Sequence, residues 1–322
     1  MKSLRYMFFG SLFMIVGLSG CVEEEETYAG FENLTFEEWP LTDCSTSTSP
    51  LRDIVAFKLL GVPYKWEEHF ITMGTYKIYP DFSAAEGKFS SRDFYEKNQC
   101  SGTHGAYMNL IEGQTDVIIA SRDISRNEKD SANILGVELE TAPLATDALV
   151  FIVNPKNPVK NLSTEQLKGI YTGKITNWKE VGGEDHTITP YLRDADSGSQ
   201  EKMETLVMKG LKMVDGPELV GSSMMSPYLQ LENDEYGIAY TPYYYRTVMM
   251  RDLIEVNVLS IDGVTPDKKS LREGRYPFTS SIYAAVRKSE SHDSMAYRLY
   301  EFLFTKKGGK MVDESGYIAL QN

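Results

Sequence analysis

At 322 residues, with 42% hydrophobic and 25% charged residues, the chain can bury one large core or two smaller ones in an ordinary soluble globular protein. A formal net charge of −13 excludes a nucleic-acid partner, which needs a basic face. It leaves a small anionic ligand open. Exposed charge is screened beyond a Debye length of ~8 Å, and oriented donors in a cleft act locally.

The first twenty residues read as a leader rather than as fold. Lys2 and Arg5 give a basic start, and Met7 to Leu18 is an apolar run too short to span a bilayer, which needs ~20 residues. Leu18-Ser19-Gly20-Cys21 resembles the bacterial lipobox. Cleavage before Cys21 and lipid on it would anchor the protein with no spanning helix. Glu23 to Glu26 open a solvated acidic tether, residues 21–40. The same acidic run resembles the surface-export signal of Bacteroidetes lipoproteins. Two other cysteines remain, Cys44 and Cys100. Two readings stay open for them in an exported protein, a disulfide or two unpaired residues.

TDCSTSTSPLRDIVAFKLLG (42–61) is the first candidate site. Ser45 to Ser49 form a hydroxyl-rich turn, with more Ser and Thr than a helix cap needs. Pro50 suits the first helical position, Leu51, Ile54, Val55 and Leu59 share a face, and Gly61 stops the helix. Residues 62–99 carry no functional signal; within them ITMGTYKIYP (71–80) reads as a strand. CSGTHGAYMNLIEGQTD (100–116) repeats the first design, with Ser101, Gly102 and Thr103 in the turn. His104 lies in that turn, but His69, His186 and His292 show no metal-ligand spacing around it, so neither a metal nor a cofactor is expected. DVIIAS (116–121) is a short buried strand that delivers Arg122 and Asp123 to its end.

TAPLATDALVFIVNP (141–155) reads as a long strand. Ser163 and Gln166 have capping-box spacing before a short helix, and GKITNWKEVGG (173–183) is a loop with a Trp anchor. ITPYL (188–192) is a strand that carries Arg193 into Asp196-Ser197-Gly198-Ser199. A helix follows, with Met203, Leu206 and Val207 on one face and Gly210 as its stop. Strand, Ser/Gly turn and helix present backbone N–H groups and a positive dipole end to an anion, and Arg193 adds a planar fork of donors. YGIAYTP (236–242), VNVLSIDG (256–263) and FTSSIYAAVRK (278–288) read as strands, and Tyr243 to Tyr245 as packing at a strand end. Ser294 to Phe304 is an amphipathic helix, and GYIAL (316–320) closes the chain. Strands alternate with helices throughout, so the fold class is α/β.

The run PLATDALVFIVNPKNPVKNLSTEQLKGIYTGKITNWKEVGG (143–183), followed by RDADSGSQ (193–200), resembles the phosphate-binding subunits of phosphate ABC importers, the PstS-like periplasmic binding proteins. YGIAYTP, YPFTSSIYAAVRK and YEFLFTKKGGKMVDESGYIAL resemble later parts of the same family. The resemblance runs from about Leu41 to the end and is weakest in 62–99. It implies two α/β lobes of the type II binding-protein fold, joined by two hinge strands around a central cleft. Lobe I would be 41–146 plus 243–322, and lobe II 147–242.

The resemblance also implies the ligand contacts: Ser47 and Thr48 from the first turn, Ser101 and Thr103 from the second, and Arg193, Ser197, Gly198 and Ser199 from the third. The family's selective Asp, which accepts the proton of hydrogen phosphate and repels sulfate, falls near Arg122 and Asp123. If Asp123 faces the cleft, selectivity for phosphate survives; if Arg122 does, another oxyanion or a carboxylate would fit. The implied function is extracytoplasmic capture of inorganic phosphate by a lipid-anchored monomer that delivers it to an ABC permease, with no chemistry. An enzyme would need a base beside Ser47 or Ser197, and the chain has no G-x-S-x-G elbow. A surface lipoprotein of the same fold, used in adhesion or signalling, is the alternative.

Overall fold

The computed structural model describes residues 28–85, 87–193, 197–215 and 224–320. The leader, Cys21 and the acidic run lie outside the described residues. In chain order the elements are β1 (Thr42–Cys44), α1 (Ser49–Leu60), β2 (Tyr64–Glu68), β3 (Tyr76–Pro80), α2 (Ser91–Lys97), α3 (Gly102–Ile111), β4 (Val117–Ala120), α4 (Arg126–Leu135) and β5 (Leu139–Val153). Then come β6 (Asn161–Leu162), α5 (Thr164–Tyr171), β7 (Thr189–Pro190), α6 (Gly198–Lys202), α7 (Ser226–Asn233) and β8 (Gly237–Pro242). The last part holds β9 (Asn257–Val258), β10 (Ser260–Ile261), α8 (Lys268–Arg272), β11 (Thr279–Arg287), α9 (Met295–Leu303), α10 (Lys306–Ser315) and β12 (Ile318–Ala319).

β5 organises the molecule. It is 15 residues long, and its final seven are all buried. Such a run, AlaLeuValPheIleVal after Asp147, has no polar face to give to water, so both sides must be covered. Its first part pairs antiparallel with β11 from Leu139 to Ala148, and its last part pairs antiparallel with β8 from Leu149 to Val153. One strand thus serves two neighbourhoods, in the order β1-β4-β11-β5-β8-β7. The changeover falls at Ala148 and Leu149, beside the expected lobe boundary.

The helices form where the sequence signals put them. α1 has Pro50 in its first turn and ends on Gly61 at φ 68°, a left-handed conformation that costs a glycine little. It buries Leu51, Ile54, Val55 and Phe57 against the sheet. The Ser163/Gln166 capping box is formed, as is one at Ser125 and Glu128. The helix after the third turn begins at Gly198, widens to π geometry over Met203–Met208, and stops at Lys209 and Gly210, both at positive φ.

Two large cores result. One gathers Leu51, Ile54, Phe57, Ile119, Ala284, Leu299 and Val312, and continues to Ile152, Leu231 and Ala239. The other gathers Leu149, Phe151, Leu167, Ile170, Trp178, Val207, Ile238 and Leu259. Trp178, from the GKITNW loop, is 1% exposed, and its Nε1 donates to the Tyr236 carbonyl oxygen at 2.8 Å. Truncating a buried Trp costs about 3–5 kcal/mol. Trp178→Ala is therefore expected to lower the stability by that amount, read as a fall in the urea midpoint.

The structure corrects three boundaries. The tether does not extend to Pro40: Tyr28, Phe31 and Trp39 are buried, and Tyr28 and Phe31 meet the ring of Phe302 edge-on at 5.8 and 5.3 Å. Aromatic burial anchors this segment well before Leu41. Second, the segment assigned to lobe I after residue 243 does not stay with one core. Leu259, Ile261, Leu271, Tyr276 and Phe278 pack in the second core, and β9 pairs with Ile152 and Val153 of β5. Third, the strand expected over 71–80 begins only at Tyr76 and forms a hairpin with β2. Beside that hairpin, Phe89 and Phe94 dock through aromatic contacts, with Phe57 and Phe94 stacked at 4.9 Å and Phe36 and Phe89 at 4.2 Å.

Candidate anion-binding site

Three helical beginnings point at one cavity. Ser45, Thr46 and Ser47 open the short 3-10 turn before α1, Gly102 and Thr103 open α3, and Ser197, Gly198 and Ser199 open α6. First-turn N–H groups have no intrahelical partner, and the helix dipole adds partial positive charge at the same end. The cavity measures about 480 Å³. Ser121, Asp147, Arg193, Lys202, Pro242 and Tyr245 complete most of its wall.

Its hydroxyls are linked. Ser45 Oγ and Thr103 Oγ1 lie 2.7 Å apart, Thr103 Oγ1 and Ser121 Oγ 2.9 Å apart, and the Ser121 N–H donates to Ser45 Oγ at 2.9 Å. This network ties the ends of β1, α3 and β4 into one floor. Facing it, Arg193 is 3% exposed. Its backbone N–H donates to Tyr240 Oη at 3.0 Å, and its Nε lies 3.4 Å from Ser197 Oγ. Residues 194–196, including Asp196 of the expected turn, lie outside the described residues.

Among the described residues the cavity wall also holds a second cation, Lys202, and a carboxylate, Asp147, neither of them among the expected contacts. Asp147 of β5 is 3% exposed, and its Oδ1 accepts the Tyr244 N–H at 3.0 Å. Its Oδ2 lies 3.6 Å from Lys202 Nζ at the end of α6. Among the described wall residues the charged groups are Arg193, Lys202 and Asp147, in a chain that is strongly negative overall. Both residues had a signal in the sequence. Asp147 interrupts an apolar strand, and a buried charge needs a partner. Lys202 stands one helical turn beyond Gly198 and so shares its face.

The eight expected contacts divide. Ser47, Thr103, Arg193, Ser197, Gly198 and Ser199 line the cavity. Thr48 does not: its side chain is fully buried and donates to the Ser45 and Ile119 carbonyl oxygens at 3.1 and 2.6 Å. It fastens the turn to β4. Ser101 does not either. Its N–H donates to Asp43 Oδ1 at 2.8 Å, and its Oγ accepts from Asn109 Nδ2 at 3.1 Å. Turning Ser101 outward brings Gly102, at φ 77°, to the wall in its place.

Neither of the two alternatives for the selective carboxylate lies in the wall. Asp123 Oδ1 accepts from the Ile124 N–H at 2.8 Å and from Thr141 Oγ1 at 3.3 Å. Arg122 donates through Nη1 and Nη2 to the two carboxylate oxygens of Glu128, each at 2.9 Å, and its Nε lies 3.4 Å from Glu201. That guanidinium joins the α4 side of the cleft to the α6 side. His104 is a structural donor to the same group, with Nδ1 3.0 Å from Glu128 Oε1.

Glu128 is completely buried. Burial alone would raise its pKa. The Arg122 fork, the Ser125 N–H and His104 outweigh that and hold the carboxyl at about 2, below its ordinary 4.5. A carboxylate with a depressed pKa stabilises the fold above its unfolded pKa and loses that contribution as pH falls through the folded one. We expect Glu128→Gln to cost about 3 kcal/mol at neutral pH, with the gap to wild type closing between about pH 4.5 and 2. Urea melts across that range read the effect.

The comparisons with known proteins agree with this architecture. The phosphate-binding protein PstS of Staphylococcus saprophyticus is 28% identical over 259 residues, which cover 77% of this chain and 79% of the relative. The PstS of Bacillus subtilis is 28% identical over 248 residues, covering 76% and 78%. Among solved structures, a putative phosphate ABC transporter substrate-binding protein with bound phosphate from Clostridium perfringens superposes with a TM-score of 0.61 at 22% identity, over 87% of this chain and 99% of that one. An ABC-type phosphate transport receptor from Vibrio cholerae superposes with a TM-score of 0.60 at 24% identity, over 86% and 98%. These likenesses establish the fold, a mixed α/β binding-protein fold of type II. The model of a PBP superfamily domain matches residues 97–307, about two thirds of the sequence, and the chain belongs to that superfamily.

Proposed function

We propose that this protein captures inorganic phosphate in the cavity between the three turns and delivers it to an ABC permease, without chemistry. The observation that carries the reading is the make-up of the wall among the described residues: three helical N-termini, Arg193 and Lys202 as cations, and the carboxylate of Asp147. Hydrogen phosphate is a dianion that keeps one proton. The donors match its bare oxygens, and Asp147 accepts its O–H. Sulfate has no proton to offer and would meet Asp147 as a like charge. The names of the curated relatives support the same ligand.

Stripping a small dianion of water is costly. Charge-assisted hydrogen bonds contribute roughly 1.5–3 kcal/mol each, so four to eight of them account for micromolar to nanomolar capture. In this reading the site residues are Ser45, Ser47, Thr103, Arg193, Ser197, Gly198, Ser199 and Lys202 as donors, with Asp147 as proton acceptor. The two sides of the cleft close on the ligand about β5 and β8, and the Arg122–Glu201 pair spans the opening. The protein acts as a monomer outside the cytoplasm, tethered by lipid on Cys21. Among the described residues no helix is long and apolar enough to cross a membrane.

Calorimetry with phosphate, sulfate and molybdate tests the proposal. Heat with phosphate and none with sulfate is expected. Absence of heat with all three would favour a protein of the same fold used in adhesion or signalling.

A further inference from the structure

Cys44 and Cys100 face each other across a register that the backbone sets. Thr42 and Asn98 form a parallel bridge, and the Gln99 N–H donates to the Thr42 carbonyl oxygen at 2.8 Å. Cys44 and Cys100 each stand two residues beyond that bridge, and Cys44 Sγ reaches to 3.6 Å from the carbonyl oxygen of Gln99, the residue before Cys100. Backbones joined by such a bridge run ~4.8 Å apart where they pair, which starts the two segments within the Cα separation of roughly 4.4–6.8 Å that a disulfide spans.

Their surroundings differ. Cys44 is completely buried, whereas Cys100 is exposed. The buried Arg52 guanidinium donates to that same carbonyl oxygen of Gln99. Contact with the Cys44 thiol lowers the Cys100 pKa to about 7; burial opposes this, and Arg52 adds to it. The same contact, together with burial, pushes the Cys44 thiol well up. An exposed thiol that ionises readily, beside a buried one that does not, is the arrangement of an attacking and a resolving cysteine.

We propose that Cys100 and Cys44 are a thiol–disulfide exchange site, with Cys100 as the attacking sulfur and Cys44 as the resolving one. The Cys100 thiolate attacks one sulfur of a small external disulfide. The S–S bond of that molecule breaks, and its other half leaves as a thiolate. Cys44 then gives its proton to solvent and attacks the Cys100 sulfur, and the second half of the reagent leaves as a thiolate. Two protein thiols are oxidised, and one external disulfide is reduced to two thiols. The bridge closes a loop that contains α1, the β2–β3 hairpin and α2. It also joins the residue before Ser45 to the residue before Ser101, so it clamps the two turns that form the cavity floor. This inference does not depend on which anion the cavity takes.

The test uses the purified chain with Cys21→Ser as its background, so that Cys44 and Cys100 are its two thiols, in oxidised and reduced glutathione buffers, with intact mass and a thermal melt as readouts. Wild type is expected to lose two hydrogen atoms with no glutathione retained, and its Tm to rise by roughly 5–10 °C on oxidation and fall back with dithiothreitol. Cys100→Ser is expected to fold, since the residue is exposed, and to show neither change. Cys44→Ser is expected to trap a stable glutathione adduct on Cys100. Retained glutathione on wild type would overturn the proposal, as would unmodified thiols in an oxidising buffer. An equal Tm shift in Cys100→Ser would do the same.

Discussion

Arg193→Ala weakens phosphate binding by at least ~3 kcal/mol, roughly a hundredfold or more, while the fold survives. The size follows from where the guanidinium sits. Arg193 is almost wholly buried in the cavity wall, and among the described residues the wall offers a dianion two cations, Arg193 and Lys202. Removing one leaves a dianion facing Lys202 alone, and Lys202 is already shared with Asp147. The loss exceeds that of a surface cation because little water reaches the site to screen it. Alanine also removes the donor 3.4 Å from Ser197 Oγ and leaves that oxygen with the Ser199 N–H, so some of the cost is a looser third turn. Arg193→Lys separates the two contributions. It keeps the charge but loses the planar fork, and we expect it to recover only part of the affinity. Titration calorimetry reads both. Unchanged phosphate affinity in Arg193→Ala would remove the cavity from consideration as the phosphate site.

Asp147→Asn has its largest effect on discrimination. In the wild type a carboxylate stands in the wall, 3% exposed and held in place by the Tyr244 N–H. Hydrogen phosphate donates its proton there; sulfate presents only lone pairs to a negative oxygen. The amide removes that repulsion and offers a donor in its place, and it releases Lys202 from its ion pair. Sulfate binding should appear, and the preference for phosphate over sulfate should fall by about a hundredfold, or about 3 kcal/mol. Competition of sulfate against phosphate, measured for both proteins, gives that ratio directly. If Asp147→Asn rejects sulfate as strictly as wild type, the selective element lies elsewhere.

The expectation for the selective carboxylate rested on the end of β4, and the correction has a physical cause. Arg122 and Asp123 follow the strand in sequence, but α4 brings Glu128 back to meet them. A completely buried carboxylate must be paired. Arg122 is the group that satisfies it, through both oxygens, so the guanidinium turns away from the cavity. Asp123 is then occupied by the local Ile124 N–H. The carboxylate that does line the wall comes from a strand that begins beyond α4.

What the sequence determined by itself was local. The three Ser/Thr/Gly turns, the helices they start and the position of Arg193 four residues before Ser197 all depend on neighbours within a few residues. Cap chemistry, helix period and the conformational freedom of glycine act at that range. The α/β class followed from the same alternation. The tertiary structure decided what depends on long-range packing. It brought Asp147 to Lys202 across 55 residues, and turned Thr48 and Ser101 away from the wall to fasten β4 and Asp43. It assigned the stretch around Leu259 to Phe278 to the second core and packed Tyr28 to Trp39 on the first. Burial is a property of the whole fold, and hydrogen-bond partners for buried polar groups are found only once the chain has closed around them.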